Sequence, residues 1–303
     1  MDFIIHQHSD LPQYLAKSPL DAYGWRVQVF PMIPDPLKHV EDMRNLPLRD
    51  DDVVIAAYPK SGTHWLWEVT HMLLHKTTVY ERRIKEFLML EATPDLDIFK
   101  EEPSPRIFNT HVVMDHYPQE ILTKKTKIIH VIRNPKDVWV SFYYQNKGLD
   151  PNLTLQSLLD AVVNDQLVYT SQFDYLRQMS QFQQEHPDHP VLHIYYEEMN
   201  RNPKQTIQQL ATFLGVEDNE EFLEKVQEAC KFDKMKKVEE DNKKELPEAL
   251  AKVAKEVNMK MVMFRKGIIG DWKNELTKEQ IDQLDTYIAK EMEKGLEFKF
   301  IYE

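Results

Sequence analysis

The stretch "VVIAAYPKSGTHWLWEVTHMLL", residues 53–74, changes its periodicity halfway along. Val53 to Tyr58 is a short unbroken apolar run rich in β-branched residues, the pattern of a strand buried on both faces. Beyond the turn, Trp65, Leu66, Val69, Met72 and Leu73 recur at helical spacing. The unit therefore reads strand, loop, helix. At such a junction the free backbone N–H groups and the positive end of the helix dipole meet at one point, so an anion is held there by default. Gly62 lets the backbone approach that anion closely, Ser61 and Thr63 offer hydroxyl donors, and Lys60 brings a full charge. A Walker A loop, G-x-x-x-x-G-K-[ST], uses similar parts. Here the lysine precedes the glycine and the upstream glycine is missing, which disfavours a magnesium-dependent ATPase.

Outward from this unit the same logic repeats. "KIIHVIR" (127–133) is a second buried strand, and "NPKDVWVSFYY" follows it with Asn134 placed to cap a helix and Pro135 at its first position. "PVLHIYY" (190–196) is a third strand. "NPKQTIQQLATFLG" (202–215) offers Asn202 as cap, Pro203 at the first helical position, an apolar face of Ile207, Leu210 and Leu214, and Gly215 as the stop. "TKEQIDQLDTYIAKEM" opens with Thr277 and Gln280 at capping-box spacing. Strands alternating with helices predict one α/β domain over residues 1–303, a central parallel sheet flanked by helices with a P-loop-like nucleotide site. The first fifty residues are Pro-rich and irregular, with "FPMIPDPL" too broken for a helix or a central strand.

Composition narrows the function classes. A chain of 303 residues buries a core without disulfides, and a lone cysteine, Cys230, excludes an internal disulfide framework and points to a reducing compartment. The N-terminus has no basic region ahead of an apolar stretch, and no apolar run approaches a membrane span. These features predict a soluble, cytoplasmic protein with no membrane partner. A net charge of −12 opposes nonspecific nucleic-acid binding, whereas Lys and Arg recurring inside short motifs suit a small anion. The chain shows no paired His/Cys ligand spacing, so no metal is expected.

Three segments then carry a resemblance. "YPKSGTHW" (58–65) resembles the 5'-phosphosulfate loop of the cytosolic sulfotransferases, "RNPKDVWVS" (133–141) resembles their 3'-phosphate motif, and "RKGIIGDWKN" (265–274) resembles their C-terminal signature. That family moves a sulfuryl group from 3'-phosphoadenylyl sulfate (PAPS) to a hydroxyl or amine, releasing 3'-phosphoadenosine 5'-phosphate (PAP). The resemblance implies that Lys60 contacts the bridging oxygen where charge grows as the bond breaks, that Ser61, Gly62 and Thr63 cradle the 5'-phosphate, and that Trp65 stacks on adenine. It implies Arg133 and Ser141 at the 3'-phosphate, with Arg265, Lys266 and Gly267 closing over it. On this reading Arg133, Ser141 and Arg265 lack a partner when no 3'-phosphate is present. Asp271 and Trp272 are read as structural. "FNTHVV" (108–113) resembles the family's K-T-H segment, which implies that His111 takes the acceptor's proton. Tyr196 matches a tyrosine that contacts the nucleotide.

The chain departs from the family pattern at several points. His64 replaces a threonine beside the 5'-phosphate, and Asn109 stands where many members carry lysine. "CKFDKM" (230–235) loses two hydroxyls at Cys230 and Lys231 but keeps Phe232 and Met235, which flank the adenine in the family. The family's dimer motif is degraded at Lys278 and Asp282, so a homodimer stays open without that motif's support. The acceptor is a small organic molecule of unstated identity, its pocket expected from the N-terminal region, residues 81–105 and a mobile cap at 236–264, with Phe30, Phe87, Phe142 and Tyr143 as candidate lining. Two rival classes remain at this stage, an ATP-using P-loop kinase and a noncatalytic PAP-binding module.

Overall fold

The computed structural model describes residues 19–303 apart from 23, 31, 84–87, 149, 168, 218 and 245–263. Four strands, β1 (Val53–Ala57), β2 (Ile107–Thr110), β3 (Lys127–Ile132) and β4 (Val191–Tyr195), form one sheet in the order β2-β1-β3-β4 with every pairing parallel. Parallel neighbours need crossovers, and the helices that make them cover both faces. The expected α/β architecture is the one found. The strand not expected from the sequence, β2, overlaps the segment read as a histidine motif.

Alternation along β1 divides the core. Val53, Ile55 and Ala57 face one side with Ile129 and Val131 of β3, and they pack on α2 (Thr63–Leu74), α8 (Pro203–Leu214) and α9 (Glu220–Ala229) through Leu66, Val69, Leu73, Ile207, Leu210 and Val226. Val54, Ala56 and Ile128 face the other side, against Met43 of α1 (Pro36–Arg44), Phe99 of α3 (Ile98–Glu101) and Met179 and Phe182 of α6 (Gln172–Glu185). A third cluster joins α4 (Pro135–Lys147), α5 (Leu155–Val163) and the last helix, Lys278–Glu293, around Trp139, Leu158, Leu159 and Leu284. The starts of β1 and β2 are tied by a buried pair, with Arg106 donating to Asp52 through Nε (2.8 Å) and Nη2 (2.5 Å). The remaining Arg106 nitrogen and Nη2 also reach the carbonyls of Phe99 and Pro47, so each nitrogen of the buried guanidinium is hydrogen-bonded.

Local signals read from the sequence are present in the structure. Asn134 caps α4 by accepting from the Asp137 amide, and Thr277 and Gln280 form a reciprocal capping box. Gly215 ends α8 at φ 76°, and Pro203 starts it, but the Asn202 side chain makes no capping hydrogen bond. One expectation is corrected. The Pro-rich N-terminal stretch carries α1, because Asp35 caps it and Pro36 occupies the first helical position, where a missing N–H costs nothing. Among the described residues no helix is long and apolar enough to cross a membrane.

Candidate active site

A parallel sheet sends the carboxyl ends of all its strands to one edge, and the order β2-β1-β3-β4 reverses direction between β1 and β3, which opens a crevice there. Four residues singled out by the sequence lie at that edge. Lys60 follows β1, His111 follows β2, Arg133 follows β3, and Tyr196 begins α7 (Tyr196–Arg201) directly after β4. The loop from Tyr58 to Gly62 turns the chain into α2 with Gly62 at the N-cap position, at φ 106°. A Cβ at Gly62 would lie 2.7 Å from Tyr196 Cδ2, so glycine is dictated here by contact as well as by backbone. Lys60 itself sits at φ 68°, a conformation that costs a side-chain-bearing residue about 1 kcal/mol. Arg133 holds it there by donating from Nη1 to the Lys60 carbonyl at 2.6 Å.

The same guanidinium lies 3.9 Å from the centre of the Tyr196 ring. Tyr196 thus touches both the first and the second motif. Behind Arg133, the buried carboxylate of Glu197 accepts from the Asn134 amide and from its Nδ2, both at 3.0 Å, which fixes the turn between β3 and α4. The third motif is attached to the second through Asp137, whose carboxylate accepts from Gly270 N at 2.7 Å and Trp272 N at 3.0 Å. Asp137 and Glu197 were missed in the sequence. The signal for Asp137 was its place three residues after the Asn134 cap.

Asp271, read as structural, is buried and collects Arg265, Lys266 and Asn274. Burial alone would raise its pKa, yet the hydrogen bonds from Asn274, Lys266 and Arg265 hold it below the usual range. Arg265 also reaches Glu275 at 3.2 Å and lies over the Tyr144 ring, and Lys266 bonds Glu275 at 2.8 Å. This corrects the expectation that Arg133 and Arg265 lack partners when no 3'-phosphate is present. Each basic group is held by a carbonyl, a carboxylate or a ring, so an incoming phosphate exchanges partners instead of meeting bare charges. Ser141 is half-buried on α4, two turns past Arg133.

Gly267 has φ 67°, and a Cβ there would collide with Phe232 Cδ2. The ring of Phe232, first residue of α10 (Phe232–Lys244), therefore seats directly on the Gly267 backbone. Gly267→Ala is expected to displace that ring and to cost about 1–2 kcal/mol for the left-handed backbone. PAP titration and thermal unfolding of the variant would check this, with affinity falling about tenfold or more if the loop and ring move apart. Met235, in the same helix, is buried in the core with Cys230, whose Sγ lies 3.8 Å from Met72 Sδ. Trp65 is half-buried against that core. His64 faces Glu239 of α10, with Nδ1 at 3.9 Å from the carboxylate, and its ring is 5.8 Å from that of Phe264.

Across the crevice, His111 Nδ1 lies 2.7 Å from the Ala57 carbonyl. A carbonyl only accepts, so Nδ1 carries the hydrogen and Nε2 keeps its lone pair. Burial lowers the imidazole pKa to about 4, with the Lys60 charge acting in the same direction against the Ala57 hydrogen bond. His111 is thus a neutral base near pH 7. Its ring meets the half-buried Tyr169 edge-on at 5.9 Å. Of the candidate acceptor-side aromatics, Phe142 is buried in the third core cluster, Tyr143 packs on that cluster's edge, Phe30 is half-buried, and Phe87 lies outside the described residues. Of the expected cap, residues 236–244 continue α10, and most of the rest lies outside the described residues. The N-terminal segment is tied near His111's strand, with Trp25 Nε1 donating to Asp115 and His116 Nε2 bonded to Asp21, both at 2.5 Å.

Two polar atoms beside the loop are left without a partner among the described residues. Ser61 Oγ is fully buried with no hydrogen-bond partner among the described residues, and Arg133 Nε is likewise unpaired. Buried polar atoms left this way are costly unless something else completes them.

Comparison with known proteins bears on this geometry. The family model described as a sulfotransferase domain matches residues 50–295. Mouse sulfotransferase 1A1 is 34% identical over 286 residues, covering 90% of this chain and 95% of that relative. Mouse sulfotransferase 1B1 is 33% identical over 270 residues, covering 84% and 86%. Among solved structures, mouse sulfotransferase SULT7A1 complexed with PAP has 27% identity and a TM-score of 0.63, covering 84% of this chain and 89% of that one. With a sulfotransferase-domain match over residues 50–295 and relatives 34% and 33% identical over most of the chain, this protein belongs to the sulfotransferase family and is an enzyme of that class.

Proposed function

We propose that the protein transfers a sulfuryl group from PAPS to a hydroxyl or amine of a small organic acceptor, with His111 as general base and Lys60 stabilising the leaving group. The observation that carries the mechanism is the fixed tautomer of His111, with Nδ1 tied to Ala57 and a basic Nε2 left over one strand away from Lys60. The unpaired Ser61 Oγ and the crowded glycines at 62 and 267 fit a nucleotide with a phosphate at each end. When bound, PAPS supplies a sulfuryl group on a mixed anhydride whose leaving group is PAP. Ser61, Thr63 and the first amides of α2 would hold the 5' end, beside His64 and Trp65. Arg133, Ser141, Arg265, Lys266 and Gly267 would hold the 3' end, with Tyr196, Phe232 and Met235 toward the base.

In such a reaction the transition state is loose, so the protein's work is to position, to neutralise charge and to remove one proton. Lys60 would meet the charge that grows on the leaving oxygen, stabilising the transition state more than the ground state. The acceptor's proton would pass to His111 Nε2, which holds it as an imidazolium until the product leaves.

Lys60→Ala tests this division of labour. Turnover should fall about 10²–10³-fold, the effect of deleting one aimed electrostatic group. PAP affinity should fall much less, because the backbone amides and Ser61 remain. Steady-state kinetics beside PAP calorimetry reads both, and near-normal turnover in the variant would overturn the role.

A further inference from the structure

We propose that Glu91 is a positioning residue for His111, its ionised carboxylate holding the end of β2 so that the imidazole stays in register for proton removal. This rests on the reading of His111 as the base. Glu91 stands beside β2 because Met89 bridges Asn109 in parallel and the Leu90 amide donates to the Asn109 carbonyl at 3.1 Å. Leu90's own carbonyl is taken by His39 Nε2 at 3.0 Å. That backbone cannot slide. From it, Oε1 accepts from the His111 amide at 2.7 Å and Oε2 accepts from Thr110 Oγ1 at 2.7 Å, while Thr110 Oγ1 accepts from the Val112 amide at 3.2 Å. Three consecutive residues, 110 to 112, are therefore organised by one carboxylate that is 5% exposed.

The two donors require an acceptor on both carboxylate oxygens, which only the ionised form provides without turning the Thr110 hydroxyl. The groups facing Glu91 are the Thr110 hydroxyl and His111 amide at the end of β2, and the phenols of Tyr117, Tyr169 and Tyr175, each of which burial and the Glu91 charge keep protonated. Burial raises the Glu91 pKa to about 7, against the lowering effect of its hydrogen bonds from Thr110 and from backbone amides. His111 lies far lower, at about 4. The two groups therefore predict different pH profiles. If only His111 mattered, rate would hold down to about pH 4. With Glu91 required in its ionised form, rate falls as pH drops through about 7.

Glu91→Gln keeps the size of the side chain and imitates the protonated state at every pH. It should lower kcat about tenfold to a hundredfold at pH 8, the scale of a small misplacement of a catalytic group. It should also abolish the limb near pH 7 and leave PAP affinity unchanged. A second readout does not depend on catalysis. The ¹⁵N imidazole NMR signals of His111 should report a single Nδ1–H tautomer in the native chain and a shifted or mixed one in Glu91→Gln. If the His111 signals are the same in both chains, the positioning role is overturned, whatever the rates do. If His111→Ala proves fully active while Glu91→Gln still alters the tautomer, the base reading fails and the positioning by Glu91 stands. A native pH limb that persists unchanged in Glu91→Gln contradicts the proposal.

Discussion

His111→Ala should lower turnover by about 10²–10⁴-fold, the range for removal of a placed general base. The reasoning starts from a single hydrogen bond. With Nδ1 committed to the Ala57 carbonyl, Nε2 is the ring's only basic atom, and a pKa near 4 keeps it unprotonated at neutral pH. Alanine removes that atom and leaves the Ala57 carbonyl short of a donor, so a stability loss of about 1–3 kcal/mol should accompany the kinetic loss. PAP binding should survive, because the residues proposed to hold the nucleotide lie after β1, β3 and β4, on α10 and on the C-terminal segment, while His111 follows β2. Turnover, PAP affinity and thermal unfolding measured on one preparation separate these effects. A purely structural histidine would damage all three in parallel. Acceptors already ionised near neutral pH should lose less rate than weakly acidic alcohols, since less of a proton remains to be taken. Asn109, one pleat upstream, offers no rescue, because a carboxamide has no useful basicity.

The parts of this site legible in the sequence are those governed by local rules. The loop from Lys60 to Thr63 announces itself through the switch from strand to helix periodicity, and Asn134, Pro135, Gly215 and the Thr277/Gln280 box are caps whose chemistry acts over three or four residues. What sequence reading missed acts across the fold. β2 escaped notice because four residues, two of them polar, give almost no period to detect. The α1 helix was hidden by prolines that in fact sit ahead of or at its first position. Glu91 is a lone carboxylate in the apolar run "LMLEA", and its meaning comes only from β2 lying alongside. Asp137 and Glu197 look like ordinary helix acids until Gly270, Trp272 and Asn134 are brought to them from elsewhere in the chain. The partners of Arg265 and Lys266 were likewise invisible, although Asp271 and Glu275 lie within ten residues, because a charged run gives no sign of which pairs close.

The central claim is that the crevice recognises a nucleotide with phosphates at both the 5' and the 3' position, and the most direct measurement is calorimetric titration of PAP against AMP at fixed ionic strength. The two ligands differ by the 3'-phosphate alone. That group would meet Arg133, Ser141, Arg265 and the amides near Gly267, and hydrogen bonds to a charged group contribute about 1.5–3 kcal/mol each. Exchange with Asp271 and Glu275 on one side and the Lys60 carbonyl on the other takes back part of that gain. Two to three net contacts at the lower value still give about 3–4.5 kcal/mol, so PAP should bind at least a hundredfold more tightly than AMP, and on the order of a thousandfold if all three persist. Raising the salt concentration should narrow the gap, and Arg133→Ala should narrow it about tenfold, the loss of one contact of about 1.5 kcal/mol. Equal affinities for PAP and AMP in the native protein would contradict the account.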